Sequence, residues 1–301
     1  MSGPGYGRVA VVAGGDSAER EVSLRSGAAV TGALRRRGVD AIQIDLPDLI
    51  AALPRAAFDR VFIALHGGAG ENGELQGALE SFGLPYTGSG VRASAICMHK
   101  PTCKAIWRAA GLPTPDWVYP VPDATAAAVP GWPLAVKPAA EGSSLGISKV
   151  AQAGQLAQAL AAAGPDPMTE RWIDGDELTV AVVGETVLPP VRIEPAAGFY
   201  DYEAKYGSST TRYHCPTGLG EHVDKALCDL AGAAYRAAGL SGWGRIDLMR
   251  DAAGTLYLVE ANTVPGLTQR SLVPMAAAGA GWSFDELVLR ILGAVRGGGH
   301  G

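Results

Sequence analysis

The chain has little of what staples, spans or threads. Its four cysteines, Cys97, Cys103, Cys215 and Cys228, are irregularly spaced and form no CxxC pair. That argues against a disulfide framework or a thiolate zinc site, and small, mostly buried thiols are the reading. No apolar run approaches the roughly 18 residues that cross a bilayer. The opening stretch from Met1 to Arg8 lacks the charged-then-apolar order of a secretory signal. The expected compartment is therefore the cytoplasm, with no membrane partner. Charged residues make up only 18% against 48% hydrophobic ones, which excludes a disordered chain. Basic residues are outnumbered 25 to 30, for a formal net charge of −5. That balance argues against a nucleic-acid surface while leaving room for a local basic pocket. No GxxxxGK[ST] run and no internal repeat occur.

What is present is enough chain, 301 residues, for two or three compact lobes. In the first third, Arg8 to Ala13, Ala41 to Leu46 and Arg60 to Leu65 read as strands, with a helix from about Val22 to Arg37 stopped by Gly38. Strand, helix and strand with short connections predict a doubly wound parallel sheet. Ligands of such sheets sit beyond the carboxyl ends of the strands, where Glu19 and His66 fall.

From about Pro113 prolines accumulate and mark a connector. A small α+β lobe follows, with strands at Leu134 to Lys137, Ile147 to Ala151, Met168 to Trp172 and Glu177 to Val183. An Ala-rich helix spans Gln152 to Ala163, and Thr186 to Ile193 pairs back across Gly184-Glu185. The last third holds a long polar loop from Ala196 to Thr217 and a helix near Glu221 to Ala238. After these come the strands Trp243 to Arg250 and Thr255 to Ala261 and two closing helices. The expected division is an N-terminal lobe at 1–99, a central lobe at 100–185 and a C-terminal lobe at 186–301.

Side chains two apart on a strand share a face. The final hairpin therefore pairs Arg245 with Asp247 and Glu260 with Asn262. Two carboxylates and an amide oxygen suit magnesium, which takes oxygen ligands and shares its shell with phosphates and water. The same set also makes a solvated face with a salt bridge, and the hairpin alone leaves both open. Lys137 lies in an apolar strand, where an ammonium either snorkels or meets an anion. The loop Glu141-Gly142-Ser143-Ser144-Leu145-Gly146 can offer backbone N–H groups to phosphates or serve as an ordinary turn. Lys100, beside a helix start at Pro101, is a possible anion contact or a surface lysine.

Taken in order, these blocks resemble the D-alanine–D-alanine ligases of the ATP-grasp superfamily. The likeness runs through Gly14 to Ser23, which includes Glu19, then Leu65-His66-Gly67, Gly70-Glu71-Asn72-Gly73 and Tyr86-Thr87-Gly88-Ser89-Gly90. It continues through Val136-Lys137-Pro138, Glu141-Gly142-Ser143-Ser144, Phe199 to Tyr206, Gly242 to Asp247, and Glu260 to Gly266. The fold implied is an α/β N-terminal lobe followed by an ATP-grasp pair of α+β lobes.

The resemblance implies ATP and two magnesium ions, replaceable by manganese, carried by Asp247, Glu260 and Asn262. It puts Lys100, Lys137 and the Ser143-Ser144 loop on the phosphates, with Lys205 also at the nucleotide. Glu170 would accept from the adenine amino group, Trp172 would lie against the base and Glu177 would bind ribose. Glu19 would hold the ammonium of the first D-alanine, with His66 near its carboxylate. Arg245 and the Gly266 N–H would face the oxyanion, and Ser271 with the Leu272 N–H would receive the second carboxylate. The loop from Tyr200 to Tyr213 would act as a lid, with Tyr206 closing onto Ser143. In the family, tyrosine at that place accompanies a peptide product and phenylalanine a D-alanyl–D-lactate ester. Three positions depart from the commonest pattern: the loop after His66 has no basic residue, His99 precedes Lys100, and Val264 replaces a hydroxyl residue. A homodimer is expected.

Overall fold

A computed structural model describes residues 5–55, 57–121, 123, 130–142, 146–195 and 211–295. Strands β1 (Arg8–Ala13), β2 (Asp40–Asp45) and β3 (Arg60–Ile63) form a parallel sheet in the order β2-β1-β3, and a parallel bridge joins Val61 to Tyr86. β1 is buried from Val9 to Ala13, as a parallel strand covered on both faces should be. Helix α1 (Arg20–Arg36) begins just beyond the carboxyl end of β1 and packs on β1 and β2. It is followed by α2 (Leu46–Ala52), α3 (Glu74–Ser81), α4 (Val91–Met98) and α5 (Lys100–Ala109).

The middle of the chain builds a four-stranded antiparallel sheet, order β4-β7-β5-β6, from β4 (Trp117–Val118), β5 (Leu134–Pro138), β6 (Ser148–Val150) and β7 (Pro167–Arg171). Helix α6 (Leu156–Ala162) packs on β5 and β6. Among the described residues its core cluster holds six buried side chains, from Leu134 to Ala163.

The larger, six-stranded sheet contains β8 (Gly175–Val183), β9 (Thr186–Val187), β10 (Val191–Glu194), β11 (Arg212–His214), β12 (Trp243–Asp251) and β13 (Leu256–Asn262). Two details differ from the sequence expectation. The stretch Glu177–Val183, grouped there with the central lobe, pairs with β10 and β12 instead. The chain changes sheets at Ile173-Asp174-Gly175, a turn too short to read as a boundary. The expected strand Thr186–Ile193 is two strands, since Pro189 and Pro190 interrupt the ladder by removing N–H donors.

One face of this sheet packs on α5 and α7 (Glu221–Ala237) through Trp107, Leu227 and Tyr235. The other face shares a core with the first lobe. There Ala181, Val183 and Trp243 join β1, β3, α8 (Leu272–Gly279) and α9 (Phe284–Gly293). The first and last lobes are thus one packed body, with the four-stranded sheet as its lightly cored counterpart. Among the described residues no helix is long and apolar enough to cross a membrane, and the four cysteines are free.

Candidate active site

A cavity of about 700 Å³ opens between the two antiparallel sheets and the first lobe, within the size range of small-molecule sites. Its wall carries Glu19, His66, Lys137, Glu170, Trp172, Glu177, Arg245, Asp247, Glu260, Asn262, Gly266, Ser271 and Leu272. Lys100 joins them from behind, 3.9 Å from Glu260 Oε2 and donating to the Glu141 carbonyl. Every described residue singled out from the sequence is therefore at or beside one cavity. Ser143, Ser144, Lys205 and Tyr206 lie outside the described residues, as does most of the lid segment.

The hairpin register explains the acidic wall. Asp247 pairs with Glu260 and Arg245 with Asn262, so all four side chains can share a face. The register shifts just after Asp247; such a bulge re-aims side chains beside a site. Arg245 grips Asp247 in a fork, Nε to Oδ1 at 2.8 Å and an Nη to Oδ2 at 2.7 Å. Thr179 Oγ1 donates to Asp247 Oδ1 at 2.6 Å and Asn262 Nδ2 donates to Oδ2 at 3.0 Å.

Two carboxylates and an amide whose oxygen is left as an acceptor are a hard-oxygen donor set that fits magnesium. Among the described residues no three His, Cys, Asp or Glu side chains converge as a metal cage. Magnesium, where it binds, shares its shell with phosphate oxygens and water.

On the opposite wall Glu170 is buried between two ammonium groups. Lys137 meets its Oε1, and Lys104 lies 2.8 Å from Oε2. Burial pushes this carboxyl up, but Lys104 and Lys137 overcome it and hold the group at about 2. Trp172 Nε1 donates to Asp174 Oδ1 at 2.7 Å, and the Lys149 ammonium lies 4.8 Å from its ring centre.

His66 is buried and both ring nitrogens are used. A carbonyl can only accept, so Nδ1–H donates to Val264 O at 2.9 Å. Nε2 therefore accepts from Ser26 Oγ at 2.8 Å. Burial holds this imidazole below its ordinary range, hence neutral. Ser26 Oγ also accepts from Leu267 N at 3.2 Å. Ser271 precedes α8, its Oγ accepting from Thr268 N at 3.0 Å. Leu272 opens that helix, where backbone N–H groups have no partner within the helix.

Three residues of the site were not singled out from sequence. Ser26 carried no signal on its helix. Glu71 stands in the Gly70-Glu71-Asn72-Gly73 run with no chemistry that the spacing assigns to it; it lines the cavity and its Oε1 accepts from Gly67 N at 3.2 Å. Lys104 falls four residues after Lys100 on the same helical face, and that spacing is the signal that could have revealed it.

Two sheets closing on a cavity, with lysines on one wall and a carboxylate-amide hairpin on the other, have the arrangement that the resemblance to ATP-grasp ligases implies. The family model described as "D-ala D-ala ligase C-terminus" matches residues 106–293, and "D-ala D-ala ligase N-terminus" matches 50–89. The chain is 54% identical over 292 residues to the D-alanine–D-alanine ligase of Alkalilimnicola ehrlichii, covering 95% of this chain and 94% of that one. It is 51% identical over 296 residues to that of Laribacter hongkongensis, covering 96% of each. Among solved structures, the Bacillus anthracis D-alanine–D-alanine ligase complexed with ATP superposes with TM-score 0.84 at 31% identity, covering 96% of this chain and 97% of that one. The VanG D-Ala:D-Ser ligase of Enterococcus faecalis does so with TM-score 0.83 at 29% identity, covering 95% and 98%. The chain belongs to the D-alanine–D-alanine ligase family.

Proposed function

We propose that the chain joins two D-alanines into D-alanyl-D-alanine at the expense of ATP, through a D-alanyl phosphate, to supply peptidoglycan precursors. The observation that carries this reading is the pairing of Asp247 with Glu260 and Arg245 with Asn262 on a cavity whose other wall bears Lys137 and Glu170.

A carboxylate attacks a γ-phosphate poorly because both are anions, so cations must neutralise and align them. Lys100 and Lys137 bring two ammonium groups to the triphosphate, aided by the Ser143-Ser144 loop and Lys205. Glu170 accepts from the adenine amino group, Trp172 lies along the base and Glu177 takes ribose hydroxyls. Asp247, Glu260 and Asn262 would hold magnesium. When bound, it supplies positive charge to the phosphates and lowers their repulsion of the incoming carboxylate.

Glu19, at the start of α1, takes the ammonium of the first D-alanine. Ser271 and the Leu272 N–H take the carboxylate of the second. Its free amine attacks the acyl carbon, the oxyanion is met by Arg245 and the Gly266 N–H, and collapse breaks the acyl–oxygen bond, releasing inorganic phosphate and a proton. Tyr206 and Ser143 lie outside the described residues; by the resemblance their segments would keep water from the acyl phosphate. We place the enzyme in the cytoplasm as a homodimer, the latter checked by light scattering at micromolar concentration.

The test supplies purified protein with MgATP, D-alanine, D-serine and D-lactate at neutral pH and weighs the products. D-Alanyl-D-alanine with stoichiometric ADP and phosphate is expected. A mainly D-lactate or D-serine product overturns the substrate assignment, and turnover with L-amino acids alone refutes the D-alanine reading altogether.

A further inference from the structure

Lys104 is fully buried on α5, one turn beyond Lys100, and it does not line the cavity. Protein oxygens surround its ammonium, one as an ion pair and two as hydrogen-bond acceptors. Glu170 Oε2 lies at 2.8 Å, Thr114 Oγ1 at 2.8 Å and the Leu258 carbonyl at 3.4 Å. Thr114 in turn donates to that same carbonyl at 2.8 Å, so its hydroxyl is oriented to accept from Lys104. A lysine bound on every side is a fixed charge. Lys137 differs, because it faces the cavity and shares Glu170 with Lys104.

Two ammonium groups on one carboxylate leave one excess positive charge beside the cavity. Buried charge that lacks a counter-ion is costly, and an arriving phosphate supplies one. Were Lys137 the sole partner of Glu170, each move of Lys137 toward a phosphate would strand a buried carboxylate. With Lys104 in place the carboxylate keeps a partner. An ionised carboxylate also has acceptor sites left over, and it matches the amino group of adenine while opposing the oxygen that guanine bears at the equivalent position.

We propose that Lys104 is a positioning residue of the nucleotide pocket: it keeps Glu170 charged and fixed, so that Lys137 is free for phosphate and the pocket favours adenine over guanine. The proposal rests on the ATP-site reading above. It accords with burial drawing the Lys104 ammonium down to about 8 while Glu170 opposes that fall.

The test titrates the intact protein calorimetrically with MgADP and with MgGDP, without chemistry. Lys104→Met is expected to weaken MgADP about tenfold or more, the usual size of a lost charge-assisted hydrogen bond. It is also expected to narrow the ADP-to-GDP preference, with Lys104→Arg recovering part of both. Unchanged MgADP binding, or equal losses for the two nucleotides, overturns the proposal. Should Lys104→Met not fold, the comparison moves to a Glu170→Gln background, where Lys104 has no carboxylate to hold. There the added Lys104→Met change should leave MgADP affinity within about twofold, whereas a further tenfold loss overturns the idea. If the unaltered protein binds neither nucleotide, the ATP-site reading itself falls, and the proposal with it.

Discussion

His66 fastens Val264 of the last lobe to the first: its Nδ1–H donates to the Val264 carbonyl at 2.9 Å, while Ser26 on α1 donates to its Nε2 at 2.8 Å. Because Ser26 also receives the Leu267 N–H at 3.2 Å, one hydroxyl and one imidazole fix both ends of the turn that carries Gly266. Removing the hydroxyl unpairs Nε2 and a backbone N–H together. A buried group left unsatisfied costs about 1–3 kcal/mol. Ser26→Ala is therefore expected to lower kcat about tenfold or more while leaving the KM for ATP within about twofold. Steady-state kinetics with each substrate varied checks this; a change confined to the ATP KM would contradict it.

The acidic hairpin gives a second prediction. Asp247 is held by Arg245, Thr179 and Asn262, whereas Glu260 is drawn toward Lys100 at 3.9 Å. Replacing Glu260 with glutamine keeps the shape and removes one of two carboxylates. Charge stabilisation by a bound metal is worth several kcal/mol, so Glu260→Gln should lose on the order of a thousandfold in turnover. Melting temperature should stay within a few degrees, since the side chain is partly exposed. Full activity would show that the hairpin is a plain polar face.

Much of this arrangement is legible in the sequence because it is local. Alternation on the final hairpin puts Arg245, Asp247, Glu260 and Asn262 on one face before any tertiary contact is known, and the register agrees. The partners of Glu170 are not legible in the same way. The i, i+4 spacing from Lys100 puts Lys104 on the same face of α5, but Lys104 becomes the counter-ion of Glu170 only once that helix packs against β13, which the spacing does not encode. The placement of Glu177–Val183 fails for a related reason, since pairing partners across a sheet are non-local. The break at Pro189-Pro190 is local and follows from two residues that lack N–H donors.

Gly175 marks the change of sheets and gives a third prediction. Its φ is +151°, and a Cβ there would stand 1.9 Å from the Arg250 carbonyl oxygen, a backbone atom that cannot swing away. The residue pairs with Asp251 at the end of β12, so relief would have to come from parting the two strands. Gly175→Ala is expected to cost about 3 kcal/mol or more. Because Gly175 also lines the cavity, nucleotide affinity should fall with stability. Chemical denaturation beside MgADP titration checks both, and a neutral substitution would refute the steric argument.

Glu71 gives the last prediction, a pH dependence with a definite sign. Burial chiefly, then the nearby Glu19 charge and more weakly Glu260, push its carboxyl up to about 8. The Gly67 N–H and Arg245 oppose them. The unfolded chain releases this proton near the ordinary 4.5, but the folded chain keeps it to about 8. Between those values the folded state binds the extra proton, so raising the pH favours unfolding by up to about 1.4 kcal/mol per unit from this group. The stabilising contribution is complete below about pH 4.5 and is lost as pH rises through about 8. Glutamine copies the protonated form and cannot ionise. Thermal melts of the ligand-free protein should therefore find Glu71→Gln more stable than the unaltered chain near pH 8.5, with the advantage shrinking steadily toward pH 5. A difference that stayed constant across that range would mean that Glu71 ionises in the folded protein much as it does in water, and that neither its burial nor its acidic neighbour governs it.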